Sequence, residues 1–176
     1  FALMRLEGAT PAPLSEAESI LRPADRYILS RLARATTATN NALEEFKFAD
    51  ASSAIYSFFW HEFCDWYIEL VKKRLMGDDE ESKAAAQSTL VAVLDEALRL
   101  LHPMMPFITE ELWQKLPIQR ERDTIMLATY PESIARFAND EIEQEYALVK
   151  DAITAVRTIR AESNVSPGKR VDATFI

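Results

Sequence analysis

The chain has 176 residues, of which 48% are hydrophobic and 27% charged, as expected for one globular domain with a substantial core. Its 3 glycines are too few for the many tight turns of a sheet-rich fold, so the composition favours long helices. The single cysteine, Cys64, excludes an internal disulfide framework and suits a reducing, intracellular compartment. No apolar run in the sequence is long enough to predict a membrane span.

The net charge of −8 on its own disfavours a nucleic-acid partner, but the positive charges are clustered. Residues 22–43, the first basic island, contain four arginines against one aspartate, a local charge of +3. Residues 157–170, the second basic island, contain four cations against one glutamate, again +3. These two islands are compatible with a polyanionic partner but do not establish one.

Residues 1–22 start apolar, without an initiator methionine or a signal-like segment, which indicates a piece of a longer protein. The first long helix is predicted to begin near Pro23, because proline is tolerated in a first turn and Asp25 suits the helix dipole. Apolar residues then recur at helical spacing and predict one buried stripe: Ile28, Leu32, Ala35, Thr39, Leu43 and Phe46. Arg31 and Arg34 lie off this stripe and are predicted to face solvent.

A second helix is predicted over residues 50–76. Seven aromatic residues crowd its middle: Tyr56, Phe58, Phe59, Trp60, Phe63, Trp66 and Tyr67. A helix that is apolar on nearly every side is normally central in its bundle, so we expect this position for it. Asp65 lies within the apolar run and is expected to pair with Arg26 or Arg99.

Gly77 is predicted to end the second helix, because glycine readily adopts the left-handed conformation found at helix ends. A third helix extends to about His102, with a leucine spine at Leu90, Leu94, Leu98 and Leu101. Pro103 ends this helix, and a short fourth helix is predicted over 107–116. Residues 117–138 look irregular.

Within that irregular region, residues 124–129 are predicted to be extended. A fifth helix is predicted over 140–162, followed by a turn and by a strand in which Val171, Ala173 and Phe175 alternate. The predicted fold class is therefore all-α: a helix bundle over residues 1–138. Residues 139–176 are predicted to supply a helix and a strand that begin a small α/β element.

The residue types that support catalysis or metal binding are not grouped as such chemistry requires. His61 and His102 stand far apart without metal-ligand spacing, and adjacent carboxylates point about 100° apart on a helix. Cys64 and His61 form a candidate nucleophile pair, but the apolar setting favours a buried thiol that packs as a small hydrophobe. A glycine-rich phosphate loop is absent too, so we predict no catalytic residue, metal site or cofactor in this chain.

Binding to unpaired RNA needs cations for the phosphates and planar groups that stack on bases. Both kinds occur near the end of the first predicted helix, with asparagines that can donate to and accept from a base edge. The candidate RNA-binding residues are Arg31, Arg34, Asn40, Asn41, Lys47 and Phe48. In the alternative interpretation, Phe46 and Phe48 cap the core and the arginines are ordinary surface residues.

Four segments carry a specific resemblance to known enzymes. DRYILSRL at 25–32 resembles the DRWILSRL opening of the anticodon-binding domain in class I aminoacyl-tRNA synthetases for valine, isoleucine and leucine. WHEFCDWYIE at 60–69 and IRAESNVSPGK at 159–169 resemble the forms found in the valine enzymes. LHPMMPFITEELW at 101–113 matches the LHPxMPFITEELW signature. In this order, and over nearly the whole chain, the segments are similar to the valyl-tRNA synthetase family.

The resemblance implies a class Ia anticodon-binding helix bundle that recognises the anticodon arm of tRNA-Val, chiefly the middle A and the third C. It implies a parent enzyme, expected to be monomeric and cytoplasmic, that ligates valine to tRNA with ATP and removes threonine by editing. The HIGH and KMSKS motifs of the catalytic domain are absent from this sequence. The fragment is therefore expected to bind tRNA beside the catalytic domain of its parent chain, without ATP or catalysis of its own.

Two other interpretations stay open. A purely structural or protein-interaction helix bundle would turn the basic islands towards an acidic protein surface. An enzymatic interpretation would need a reactive thiol at Cys64.

Overall fold

The computed structural model describes residues 1–120, 122–132, 135–166 and 168–172, and the regular structure in this part of the chain is helical. In chain order the α-helices are α1 (Ala2–Leu6), α2 (Leu14–Ala17), α3 (Pro23–Glu44), α4 (Phe48–Ser57), α5 (Ile68–Leu75), α6 (Glu80–Leu101), α7 (Pro106–Trp113) and α8 (Asp140–Glu162). A π-helical segment, Phe58–Tyr67, joins α4 to α5 without a break. The predicted all-α fold is confirmed.

The chain divides into two compact units, Phe1–Asn139 and Asp140–Ile176. The first unit holds α1 to α7 and the buried core. The second holds α8, whose bounds are those predicted, and the residues that follow it. Val171 and Asp172 have irregular backbone. The rest of the predicted strand, Ala173 and Phe175 included, lies outside the described residues.

The first helix begins as its sequence predicts. Pro23 occupies the first turn of α3, and the carboxylate of Asp25 accepts a hydrogen bond from the backbone nitrogen of Arg22 at 2.9 Å. The buried face also follows the predicted stripe as far as Thr39. Its last member does not: Phe46 lies beyond the end of the helix and is exposed.

The aromatic second helix is not central, which corrects the prediction. One face packs inward through Phe58, Phe63 and Tyr67, while Tyr56 and Trp60 are 59% and 52% exposed. The buried residues are spaced five and then four apart, because a π-helix takes more residues per turn than the 3.6 of an α-helix. The polar tips of tyrosine and tryptophan make such exposure tolerable.

The central helix is α6, which carries the predicted leucine spine and has buried residues on several sides. Its small side chains, among them Ala85, Ala86 and Ala97, are fully buried and allow neighbouring helices to approach closely. Asp79 caps its first turn by accepting a hydrogen bond from the backbone nitrogen of Ser82 at 3.1 Å.

A buried carboxylate ties the beginning of α3 to two other helices. Asp25 is fully buried and accepts hydrogen bonds from the hydroxyl of Tyr67 at 2.8 Å and from both terminal nitrogens of Arg74 at 2.9 and 2.7 Å. Arg74 also donates to the hydroxyl and carbonyl oxygens of Ser82, both at 2.9 Å. We call Asp25, Tyr67, Arg74 and Ser82 the Asp25 cluster. It links α3, the π-helical segment, α5 and α6.

Asp65 does not need the buried arginine partner that the sequence suggested. Its side chain is 52% exposed and lies 3.4 Å from a ring nitrogen of His61. Arg99 pairs instead with Asp95, and Arg26 donates to the carbonyl oxygen of Glu18. The carboxylate that does require a buried partner is Asp25.

The region after α7 is irregular, as predicted, but residues 124–129 are not an extended strand. Ile125–Leu127 forms a 3-10 turn, and the buried Ile125 anchors it in the core. Glu110 on α7 accepts hydrogen bonds from the hydroxyl of Thr124 at 2.6 Å and the backbone nitrogen of Ile125 at 3.1 Å. Glu110 thus supplies hydrogen-bond acceptors to this segment, which a neighbouring strand would supply in a sheet.

Removal of the Asp25 carboxylate is predicted to destabilise the fold strongly. Asp25→Ala leaves the Arg74 guanidinium in a site built for a partner, and loss of one member of a buried pair typically costs about 3–5 kcal/mol. The free energy of unfolding in urea at pH 7 measures this effect. The matched control, Asp65→Ala, removes an exposed carboxylate and should change stability by about 0.5 kcal/mol or less. A change below about 1 kcal/mol for Asp25→Ala would contradict the role given to the cluster.

Glu96 on α6 is a second buried carboxylate, and it accepts a hydrogen bond from the hydroxyl of Thr36 on α3 at 2.7 Å. Burial raises the pKa of Glu96, and the charge of Asp95 adds to this, whereas Thr36 and Arg99 act in the opposite direction. A raised folded-state pKa means that the ionised carboxylate is less stable in the fold than in the unfolded chain. The fold is therefore more stable when Glu96 is neutral, and this stability is lost as the pH rises through the folded-state pKa of Glu96.

Glu96→Gln, which keeps an acceptor for Thr36, is accordingly predicted to unfold at higher urea concentration than the parent chain at pH 7. The advantage should shrink as pH falls towards the ordinary carboxyl pKa, where Glu96 becomes neutral. Urea titrations over a series of pH values measure it, with the exposed Glu132→Gln as control. A difference that does not vary with pH would show that the ionisation of Glu96 is not its cause.

Candidate nucleic-acid interface

The turn between α3 and α4 is built on a strained phenylalanine. Phe46 has a φ of +59°, in the left-handed region that favours glycine. The backbone nitrogen of Phe46 donates to the carbonyl of Leu43 at 3.0 Å, and that of Lys47 donates to the carbonyl of Ala42 at 2.8 Å. This pair of bonds is the Schellman arrangement that ends many helices, usually with glycine in the left-handed position.

The turn exposes two aromatic rings. Phe46 and Phe48 are 79% and 62% exposed, and their rings meet edge to face with centroids 6.4 Å apart. Lys47 lies between them in sequence and forms a surface ion pair with Glu45, in which both side chains are more than half exposed. The alternative interpretation, in which these phenylalanines cap the core, is therefore wrong. We call Phe46, Lys47 and Phe48 the aromatic turn.

Two of the other candidates line one shallow groove on α3. Arg34 and Asn41 lie two helical turns apart on the same face, with Thr37 and alanines of α3 between them and Ala135 and Ala138 opposite. Both candidate side chains are exposed. The groove combines an apolar floor with a guanidinium and an amide, which suits a planar, polar-edged group such as a nucleobase.

The remaining candidates face other parts of the fold. Arg31 forms a two-point ion pair with Glu62, one bond of which is 2.8 Å long. The side-chain amide of Asn40 donates to the carbonyl of Pro131 at 3.0 Å. The structure thus brings Arg34 and Asn41 together in the groove and Lys47 and Phe48 together in the turn. It directs Arg31 and Asn40 to intramolecular partners.

Two of the four arginines of the first basic island are neutralised by carboxylates in the fold. Arg22 pairs with Glu81 at 2.9 Å, Arg31 pairs with Glu62, and Arg26 donates to a backbone carbonyl. The sequence showed the cations of this island but not their distant acidic partners. Its surface therefore offers aromatic rings and amides more readily than uncompensated positive charge.

Sequence reasoning missed Phe46 as an exposed residue, because its spacing continues the buried stripe of α3. A signal was present: no glycine stands where this helix must end, so some other residue has to adopt the left-handed conformation. Tyr56 and Trp60 were also missed. Their rings lie nearly parallel, 4° apart in orientation, on the exposed face of the second helix.

The candidate nucleophile pair lacks the geometry of an activated thiol. Cys64 is only half-buried, and burial raises its pKa, with the charge of Asp65 raising it further. A raised pKa lowers the thiolate fraction on which cysteine chemistry depends. His61 is directed to Asp65 and to the ring of Tyr56. Among the described residues, no group of three or more metal-ligating side chains comes together, and no helix could cross a membrane.

Phe46→Gly is predicted to stabilise the fold relative to Phe46→Ala by about 1 kcal/mol. Both variants remove an exposed ring, but only glycine relieves the left-handed strain, which costs an L-residue roughly 1–2 kcal/mol. Urea unfolding of the two variants and the parent chain measures the difference. Equal stability of the two variants would show that the turn relaxes in the alanine form and that Phe46 is not strained.

Comparison with known proteins assigns the chain to a family. The family model described as the anticodon-binding domain of tRNA ligases matches residues 25–175. The chain is also 47% identical over 174 residues to the valine–tRNA ligase of Syntrophotalea carbinolica, an alignment that covers 98% of the chain and 19% of that relative. Its identity to the valine–tRNA ligase of Geobacter sulfurreducens is 46% over 173 residues, covering 98% of the chain and 20% of the relative.

A third relative, the valine–tRNA ligase of Carboxydothermus hydrogenoformans, is 43% identical over 176 residues, all of this chain and 20% of the relative. The chain thus spans about one fifth of the length of the curated relatives it matches. The resemblance inferred from the four sequence motifs is confirmed. The comparisons assign no role to individual residues, so the candidate interface residues remain predictions.

Proposed function

We propose that this chain, which belongs to the family of anticodon-binding domains of tRNA ligases, recognises the anticodon arm of tRNA-Val. The observation that carries the proposal is the aromatic turn, in which Phe46 and Phe48 are exposed and the backbone of Phe46 is strained. Strain of this kind persists where function requires it and the surrounding fold can hold it. The unpaired bases of an anticodon loop offer flat faces that exposed aromatic rings can stack on.

The groove on α3 adds a means of reading the stacked or neighbouring base. Asn41 can both donate to and accept from a base edge, and Arg34 can contact a base edge or a phosphate. In this proposal Lys47 contacts the RNA backbone once its weak surface pair with Glu45 opens. Arg31 and Asn40 hold the scaffold through Glu62 and Pro131 and contribute indirectly.

In this proposal the chain is part of a larger enzyme that ligates valine to tRNA, as the names of its relatives describe, and that uses ATP to do so. ATP and valine would bind in the catalytic domain of the same parent protein, which we propose to be monomeric and cytoplasmic. The domain would raise the rate of the reaction by orienting a tRNA whose reacting end is distant, since binding energy from remote contacts can be used for positioning.

A protein-interaction role is the second candidate, and one observation favours it. Tyr56 and Trp60 stack on each other at the surface of the second helix, and Tyr56 also contacts His61, which pairs with the exposed carboxylate of Asp65. An aromatic surface with an acidic neighbour suits a protein partner better than an RNA backbone, because it would repel phosphates.

Binding of an RNA hairpin with a valine anticodon loop distinguishes the two candidates. Phe48→Ala is predicted to raise the Kd roughly 5- to 150-fold, because stacking on one aromatic ring is worth about 1–3 kcal/mol. Arg34→Ala should also weaken binding, and Phe46→Gly and Phe46→Ala should do so equally despite their different stabilities. Fluorescence anisotropy with the 176-residue chain at fixed salt measures these effects.

The control for this experiment is Phe107→Ala, which removes a 90% exposed aromatic ring from α7 and should leave the Kd unchanged. Hairpins with unrelated anticodon loops should bind more weakly than the valine hairpin. Equal affinity for all hairpins, or no effect of Phe48→Ala, would overturn the proposal. The second candidate would be favoured if the chain bound no RNA and if Trp60→Ala lost binding to a protein partner.

A further inference from the structure

In the second basic island, the described residues that follow α8 form a hydrogen-bonded loop. After Glu162 the chain turns back over the last helical turn, and Asn164 adopts the left-handed conformation with a φ of +51°. The backbone nitrogen of Val165 donates to the carbonyl of Arg160 at 2.9 Å, which is the Schellman bond of this helix end. Asparagine tolerates the left-handed position far better than phenylalanine does, so this turn is formed without comparable strain.

The Arg160 side chain is hydrogen-bonded to the backbone of this loop. One terminal nitrogen of its guanidinium donates to the carbonyl oxygens of Ser166 at 2.6 Å and of Lys169 at 3.0 Å. The backbone nitrogen of Lys169 donates in turn to the carbonyl of Ser166 at 3.1 Å. An arginine that directs its donors to two carbonyls of one loop fixes the backbone on which Lys169 and Arg170 stand.

Lys169 and Arg170 differ in one respect from Arg22 and Arg31 of the first basic island. Both are exposed, and neither has a carboxylate partner among the residues that the structure describes. In the first island, by contrast, Arg22 and Arg31 are neutralised by Glu81 and Glu62. Adjacent exposed cations on a backbone fixed by hydrogen bonds lose less backbone freedom when they bind an anion than cations on an unstructured segment would, which strengthens that binding.

We propose that Lys169 and Arg170 form a second RNA contact, which binds phosphates of the tRNA backbone independently of base sequence. The inference rests on the proposed function for its choice of partner, because an RNA-binding chain with a net charge of −8 requires uncompensated cations somewhere on its surface. Lysine and arginine at such a site neutralise phosphates and displace counterions, so they add affinity without reading bases. Arg160 is a positioning residue that keeps the loop in shape.

The salt dependence of RNA binding tests this proposal. In the 176-residue chain, Lys169→Ala/Arg170→Ala should weaken binding of whole tRNA-Val at about 0.1 M salt, roughly tenfold for each phosphate that is no longer neutralised. The slope of log K against log salt should fall by about 1 for each such phosphate, and by the same amount for a tRNA with a different anticodon. Lys169→Arg/Arg170→Lys, which keeps both charges, should retain the parent affinity.

The charge-matched control is Lys73→Ala/Lys115→Ala, which removes two exposed cations from the first unit and makes the same change in net charge. Its slope should equal that of the parent chain. An unchanged slope for Lys169→Ala/Arg170→Ala, or an equal fall in the control, would overturn the phosphate contact. Binding of an acidic protein in place of RNA, abolished by the same double substitution, would also overturn it.

Failure of the phosphate contact can be distinguished from failure of the proposed function. If all anticodons bind equally but Lys169→Ala/Arg170→Ala lowers the salt slope, anticodon recognition fails and the phosphate contact stands. If Phe48→Ala removes anticodon preference while the double substitution changes nothing, the reverse holds. Absence of any RNA binding by the parent chain would overturn both.

Discussion

The buried charge of Asp25 constrains where three helices can lie. A carboxylate removed from water is stable only when its oxygens are fully occupied, and here the donors come from Arg22, Tyr67 and Arg74. Because Arg74 also holds Ser82, the beginning of α6 is positioned by the same charge. The cluster fixes the N-terminal end of α3. The C-terminal end of this 22-residue helix lies about 33 Å away. The aromatic turn at that end is therefore displayed on a rigid support.

A fold anchored in this way can tolerate a locally unfavourable turn. The helix ends of α3 and α8 both use Schellman bonding, but one has phenylalanine and the other asparagine in the left-handed position. Stability alone would favour glycine or asparagine at both. The cost of roughly 1–2 kcal/mol at Phe46 brings no buried contact in return, since the ring is 79% exposed. The proposed binding role would explain why such a residue stands there, whereas packing does not.

The sequence predicted the features that local chemistry determines. Pro23 and the pattern of apolar residues located α3, α6 and α8, because a proline, a cap and a 3.6-residue period can be recognised within a short stretch of sequence. The errors arose where distant partners or the exposure of large aromatic residues decide the outcome. Asp25, rather than Asp65, is the carboxylate with a buried arginine partner because Arg74 reaches it from 49 positions along the chain. The exposed face of the second helix escaped prediction because its crowded aromatic residues indicated burial on every side, whereas Tyr56 and Trp60 lie at the surface with their polar tips in contact with solvent.

Candidate site residues were predictable only as residue types, because their availability depends on pairing that the sequence does not display. Arg31 and Lys169 look equivalent in a count of charges, yet one is held by Glu62 and the other has no described carboxylate partner. This difference suggests a division of roles in the proposed function: aromatic rings and amides in one unit discriminate bases, and cations in the other supply affinity. Such a division suits an acidic chain. General repulsion from a net charge of −8 weakens binding to arbitrary RNA, so the few uncompensated cations add affinity without erasing the discrimination that stacking provides.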